Sequence, residues 1–392
     1  MSEVFLFDAL RTPRGKARAD GGLAALSPPE LVSVLVDGLR GRCGEAASDP
    51  GALVLGCVTQ AGAQGGHIAL SAKLKSGLPD SCAAQTLNNY CSSGLSAIGH
   101  AVAMVASGQE RAVLAGGVEM MSRVPFLSDR AEFYTATNLP PHQRFLPPVL
   151  AADRLAQAEG ITRAELDACA LVSQQRAAAS DQDPALQASR LAVGSLTGEE
   201  CPRPATSAES LAALPGAFGA LQQDYAEALE GATFEPLHTL SHAPPVCDGA
   251  GLALVGTEGL AARPRARVLA YAESGGDPAA SLTAGFAAMD KALARAGLTL
   301  AQIDRIEFME AFAVTVAKFM RDRATDPAKV NVSGGHLAKG HPMGATGAIL
   351  TSALLDALDA GEGRLGLVVT TGAMGVGAAM VVERLSSHRA LG

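Results

Sequence analysis

The 392-residue chain contains no tryptophan, and aromatic residues make up only 4% of it. It has no long apolar run and no basic-plus-apolar segment at its N-terminus, which argues against a membrane-spanning helix and a secretory leader. Lysine is absent from residue 76 to residue 290. The net charge of −8 argues against a nucleic-acid-binding surface. We therefore expect a cytoplasmic protein that binds neither nucleic acid nor membrane.

Paired cysteine spacings are also missing. The seven cysteines are an odd number, and no Cys-x-x-Cys motif occurs. This pattern indicates neither a disulfide framework nor a zinc site, so no bound metal is expected.

Short apolar segments alternate with amphipathic ones. Segments typical of buried strands occur at residues 4–7, 52–56, 112–115 and 365–369, and predicted helices at 28–40, 163–179, 284–296 and 345–360. This alternation predicts an α/β fold with a parallel sheet covered on both faces. Between residues 119 and 249 the pattern loosens, and every cation is arginine. Arginine can bind phosphate bidentately, but ordinary solvated surface explains most of these residues.

The clearest chemical signal is the segment from residue 89 to residue 98, which puts Cys91 just before a predicted helix. Ser92 and Ser93 are typical of helix starts, and Gly108 is typical of a helix end. A thiol at a helix N-terminus lies in the positive end of the macrodipole. We therefore expect a lowered pKa for Cys91 and a nucleophilic thiolate. The alternative is a small buried cysteine that only packs.

A faint internal repeat connects this segment to a second one. The pair Cys91 and Gly94 recurs 250 residues later as His341 and Gly344, within the glycine-rich loop 334–344. If the two halves are related by a pseudo-two-fold axis, equivalent turns face each other at the centre. His341 would then lie close enough to Cys91 to deprotonate it. The alternative is a loop imidazole that is hydrogen-bonded to the backbone.

Taken in order along nearly the whole chain, these motifs resemble the thiolase family. Each motif is short, and their number and order carry the resemblance. The matching segments are residues 8–16, 89–98, 116–122, 176–179, 248–250, 310–313 and 340–348.

The resemblance implies a fold and a division into domains. The thiolase fold has two similar βαβαβαββ halves arranged in five layers (αβαβα), with an inserted loop domain. The N-terminal half, with the nucleophile, would span residues 1–118. The loop domain over the coenzyme A site would span residues 119–249, and the C-terminal half, with the catalytic histidine, residues 250–392.

The resemblance also implies the roles of individual residues. Cys91 would carry an acyl group, and His341 would act as base and oxyanion donor. The backbone N–H groups of Cys91 and Thr371 would form a second oxyanion hole. Coenzyme A and acyl-CoA would be substrates, with no permanently bound cofactor, and the protein would be a homodimer or homotetramer. The expected substrate-binding residues are Met309, Phe312, Pro244 and Ala243.

The chain departs from the family at its second catalytic cysteine. The family carries that cysteine in a Cys-x-Gly-Gly-Gly-like turn, where this chain has Val369, and no cysteine follows residue 247. Thr370 and His336 are the candidates for the missing proton transfer, although an alcohol is a poor base. Met309 replaces the asparagine or histidine that fixes a water, and a thioether accepts hydrogen bonds only weakly.

Two further departures fall around the coenzyme A site. His242-Ala243-Pro244 stands where the family has Asn-Ala-Ser, and Pro147-Pro148-Val149 stands where it has His-Met-Gly. Both changes remove side chains that the family uses there.

We predict an acyl-CoA-dependent acyltransferase of thiolase type that works through an acyl-cysteine. Its reaction would be thiolysis of a 3-oxoacyl-CoA or Claisen condensation of two acyl-CoA molecules. The missing cysteine leaves two alternatives open. One is an acyltransferase or hydrolase that lacks carbon–carbon chemistry, and the other is a non-catalytic subunit with the thiolase fold.

Overall fold

The structure is a computed structural model that describes residues 2–385. The last seven residues of the predicted C-terminal half, 386–392, lie outside the described residues. The strands are β1 (Phe5–Arg11), β2 (Gly15–Lys16), β3 (Ala52–Gly56), β4 (Ala83–Leu87), β5 (Ala112–Met120), β6 (Cys247–Gly256), β7 (Ala266–Gly275), β8 (Arg305–Phe308), β9 (Leu365–Gly372) and β10 (Val376–Arg384).

The helices begin and end largely at the signals in the sequence. Ser27 opens the first helix with a capping box, and Thr162 does the same for the sixth. Gly297, in a left-handed conformation, ends the ninth. The helices are α1 (Pro28–Cys43), α2 (Glu45–Ser48), α3 (Ile68–Lys75), α4 (Ser93–Ala106), α5 (Pro148–Glu159), α6 (Arg163–Ser180), α7 (Ala208–Ala212), α8 (Leu221–Asp224), α9 (Ala284–Ala296), α10 (Ala313–Arg323), α11 (His336–Lys339) and α12 (Thr346–Ala360).

The strands form one continuous sheet in the order β4-β3-β5-β6-β1-β7-β10-β9-β8, and β2 pairs with β6. The two halves of the sheet meet only where Phe5 and Leu6 of β1 pair with Arg267 and Ala266 of β7. Strands β4, β3 and β5 are parallel, as are β8 and β9, while the remaining pairs are antiparallel. The sheet is therefore mixed, and the predicted parallel pairing holds for β4, β3 and β5 and for β8 and β9.

The helices form three layers around the two halves of the sheet. Helices α1 and α3 cover the outer face of the N-terminal half, and α9 covers that of the C-terminal half. Between the two halves lie α4 and α12, whose apolar side chains form the central core. This arrangement is αβαβα, and it confirms the predicted thiolase fold.

The first turns of α4 and α12 meet at the centre, and glycine makes this approach possible. A Cβ atom at Gly94 would lie 2.7 Å from the carbonyl oxygen of Gly344, and one at Gly347 would lie 2.2 Å from the backbone nitrogen of Leu95. Both distances are shorter than van der Waals contact. The internal repeat therefore corresponds to two helix starts packed backbone against backbone.

The position of β6 in the sheet bears on one predicted domain boundary. Residues 247–256 pair with β5 and β1, so this strand completes the N-terminal half and does not begin the C-terminal one. The predicted boundary after residue 249 therefore falls inside β6, since an isolated apolar strand carries no information about its partner. The long insertion lies between β5 and β6, and its helices α5 and α6 pack on α10 of the C-terminal half.

Within residues 2–385, no helix is both long enough and apolar enough to cross a bilayer.

Candidate active site

A cavity of about 410 Å³ brings Cys91 and His341 together in its wall. Residues of the N-terminal half, the insertion and the C-terminal half all contribute to this wall. The convergence expected from the repeat is therefore found in the structure. The four expected substrate-binding residues also line the cavity, namely Met309, Phe312, Pro244 and Ala243.

Cys91 is a neutral thiol in this environment. Burial raises its pKa to about 12, and the backbone N–H of Ala373, which hydrogen-bonds to the sulfur, opposes that rise only in part. The expectation of a lowered pKa was wrong. Cys91 precedes Ser92, the N-cap of α4, and so lies outside the helix, where desolvation of the sulfur outweighs the helix dipole.

His341 is a neutral imidazole beside this thiol. Burial, followed by the positive charge of Arg14, lowers its pKa to about 3. Its Nδ1 lies 2.6 Å from the hydroxyl oxygen of Thr346, which fixes the ring. Its Nε2 has no hydrogen-bond partner within residues 2–385. The ring is therefore unprotonated at neutral pH, with Nε2 free to contact a reacting group.

The backbone N–H groups that stabilise the Cys91 sulfur are those of Ala373 and of Cys91 itself. The expectation from the sequence put the second cysteine at Val369 and the oxyanion N–H two residues later, at Thr371. Val369 and Thr371 lie two residues apart on β9 and therefore on the same face, and the Thr371 hydroxyl contacts the N–H of Gly285 in α9. Val369 packs with Phe308 in the outer core of the C-terminal half, away from the cavity.

The two candidates for proton transfer lie outside the cavity. The hydroxyl of Thr370 is fully buried and donates a hydrogen bond to the hydroxyl oxygen of Ser92 at 3.0 Å. His336 is also fully buried, with its ring edge-on to His341 and 5.5 Å between the ring centroids. Burial lowers the pKa of His336 well below its ordinary value. Neither side chain lines the cavity, so neither would touch a substrate held there.

Glu119 organises the loops around the site, and sequence reasoning assigned it no role. This fully buried carboxylate accepts hydrogen bonds from the backbone N–H groups of Val58, Thr59 and Gly344 and from the side-chain amide of Gln64. It thereby joins the loop after β3 to the loop that carries His341. Its place in the motif at 116–122 was the only available signal.

The insertion supplies an aromatic part of the wall that was also missed. Phe126, Phe145, Phe218 and Tyr225 all line the cavity. They come from a segment without helical or strand periodicity, so no sequence pattern marked them.

His242 lies in the expected coenzyme A region, and both of its ring nitrogens contact other protein groups. Its Nδ1 accepts a hydrogen bond from the N–H of Thr239, and its Nε2 lies 2.7 Å from a carboxylate oxygen of Asp167. Burial lowers its pKa to about 4. Within residues 2–385, no group of histidine, cysteine or acidic side chains is arranged to hold a metal ion.

The raised pKa of Cys91 can be tested by alkylation. We expect the rate constant for iodoacetamide at Cys91 to rise about tenfold per pH unit from pH 7 to pH 10, because the thiolate fraction grows tenfold per unit below the pKa. Peptide mass spectrometry would measure it, with Cys91→Ala as the control that loses the signal. A plateau below pH 9 would contradict a pKa raised by burial.

Comparison with known proteins agrees with the fold. The models of the thiolase N-terminal domain and C-terminal domain match residues 4–258 and 262–384. A β-ketoadipyl-CoA thiolase from Pseudomonas aeruginosa is 34% identical over 98% of this chain and 99% of its own length.

Two proteins from Escherichia coli strain K12 are similarly related. A 3-oxoadipyl-CoA/3-oxo-5,6-dehydrosuberyl-CoA thiolase is 32% identical, and an acetyl-CoA acetyltransferase is 33% identical. Each match covers 98% of this chain and all of the relative. The chain therefore belongs to the thiolase family.

Proposed function

We propose that this thiolase-type acyltransferase takes the acyl group of a coenzyme A thioester onto the sulfur of Cys91. The observation that carries this proposal is the shared cavity of Cys91 and His341, with the N–H of Ala373 beside the sulfur. Coenzyme A and acyl-CoA are substrates in this proposal. The chemistry needs no resident cofactor, because the chain supplies both the nucleophile and the base.

In the acylation step the thiol proton of Cys91 moves to Nε2 of His341, and the sulfur attacks the thioester carbonyl. The carbon–sulfur bond to coenzyme A then breaks, and the leaving thiolate takes the proton back from His341. In this proposal the N–H groups of Ala373 and Cys91 hold the oxyanion of the intermediate. With the thiol pKa near 12 and the imidazole pKa near 3, proton transfer before attack is unfavourable. Transfer concerted with attack suits this pair better.

The carbon–carbon step needs a second base for the α-proton, and among the described residues the cavity wall offers no second imidazole, no second thiol and no carboxylate. The hydroxyls of Thr370 and Thr371 lie outside this wall, and an alcohol is a poor base at neutral pH. We therefore expect acyl transfer to persist and thiolysis or condensation to be slow. The absence of any cysteine after residue 247 favours a second candidate, transfer of the acyl group to another acceptor or to water.

Acylation can be tested directly. After incubation with acetyl-CoA, we expect intact-mass spectrometry to show one acetyl adduct, which maps to Cys91 and is absent from Cys91→Ser. No adduct with acetyl, butanoyl or hexanoyl thioesters would refute the proposal and favour a non-catalytic subunit.

The outer face of β9 is a poor place to restore the missing second thiol. We expect Val369→Cys and Thr371→Cys to leave the rate of acetoacetyl-CoA thiolysis unchanged, because Val369 packs in the outer core and Thr371 contacts Gly285 of α9. A rate about a hundredfold higher in either variant, the usual contribution of a placed base, would contradict this orientation of β9.

A homodimer or homotetramer is part of the proposal. Strand β4 lies at one edge of the sheet and is partly exposed, and Leu74 of the neighbouring α3 is 65% exposed. Unpaired edges of this kind favour pairing with a second copy. Light scattering at micromolar concentration should give two or four times the chain mass of 39.7 kDa, and a monomer would contradict it. The cytoplasmic location also remains a proposal, supported by seven free thiols.

A further inference from the structure

The wall of the Cys91 cavity carries no aspartate, glutamate, lysine or arginine among the described residues. Its polar side-chain groups are the thiol of Cys91, the imidazole of His341 and the phenols of Tyr90 and Tyr225. All its other side chains are aliphatic, aromatic, proline or thioether. A group bound there meets apolar surface away from the reacting atoms.

Two arginines lie near this wall without lining it. Arg144 adjoins the lining residue Phe145 in the chain, but its guanidinium donates to the carbonyls of Leu139 and Thr137 and pairs with Glu227. Arg14 lowers the pKa of His341 from outside the cavity wall, and it lies 4.0 Å from Glu199, while its Nε and Nη1 have no hydrogen-bond partner within residues 2–385. Neither guanidinium lines the cavity.

We propose that the acyl group carried by Cys91 is uncharged and apolar, and that acyl groups ending in a carboxylate are rejected. This inference rests on the proposed acylation of Cys91. It separates the chain from the β-ketoadipyl-CoA thiolases among its relatives, because an adipyl group ends in a carboxylate.

The physical reason is desolvation. A carboxylate that leaves water for an apolar wall loses its hydration, and this wall offers no cation in return. An apolar chain of the same length gains instead, by about fourfold in affinity for each buried methylene group. Both effects favour the apolar acyl group over the one that ends in a carboxylate. Together we expect them to give a preference of at least about a hundredfold.

The test compares two six-carbon thioesters that differ only at the far end of the chain. We expect kcat/KM for acylation of Cys91 to be about a hundredfold or more higher with hexanoyl-CoA than with adipoyl-CoA, measured by quenched-flow mass spectrometry. A ratio below tenfold, or faster acylation by adipoyl-CoA, would overturn the inference. Cys91→Ser should show no adduct with either thioester.

Titration calorimetry on Cys91→Ala keeps this inference separate from the proposed function. If acetyl-, butanoyl- and hexanoyl-CoA all fail to acylate the wild-type protein, the proposed function fails, yet the binding constants still decide the inference. At least tenfold tighter binding of hexanoyl-CoA than of adipoyl-CoA supports an apolar acyl site. A smaller difference, or tighter binding of adipoyl-CoA, would overturn it.

Discussion

The close contact between two helix starts is the constraint on which the rest of this structure depends. Backbone meets backbone where α4 and α12 begin, since a side chain at Gly94 or Gly347 would collide with the opposite helix. Because Cys91 and the loop of His341 lie just before these helices, their approach sets the position of the thiol and the imidazole together. Glu119 then fixes the same loop from the side, through the N–H of Gly344.

A second consequence is the electrical character of the site. Burial keeps the thiol protonated and the imidazole unprotonated, so the cavity holds no full charge in its resting state. A thiolate–imidazolium ion pair would be unfavourable in such surroundings, because both charged groups would lose their hydration. Charge develops only during the reaction, next to the N–H groups of Cys91 and Ala373. The apolar wall, the neutral reacting pair and the backbone donors therefore suit one another.

Much of the fold could be predicted from local pattern. Helix α9 was predicted with the bounds observed, Ala284–Ala296, and the repeat brought Cys91 and His341 together. What failed depends on partners distant in sequence. Burial of Cys91 by its surroundings set its pKa, and the alternation of side chains along β9 put Val369 in the outer core. The aromatic wall from the insertion had no periodicity to mark it.

The insertion of residues 121–246 begins after β5 and ends before β6. These two strands are adjacent and antiparallel, with Ala112 paired with Gly256 at one end and Met120 paired with Asp248 at the other. Its two ends are therefore already close together, much as in an ordinary hairpin. Loop-closure entropy grows only slowly with length, so this segment can be lengthened, shortened or rewritten at little cost to the sheet. The insertion that covers Cys91 can therefore change during evolution while the sheet and helices that position Cys91 stay the same.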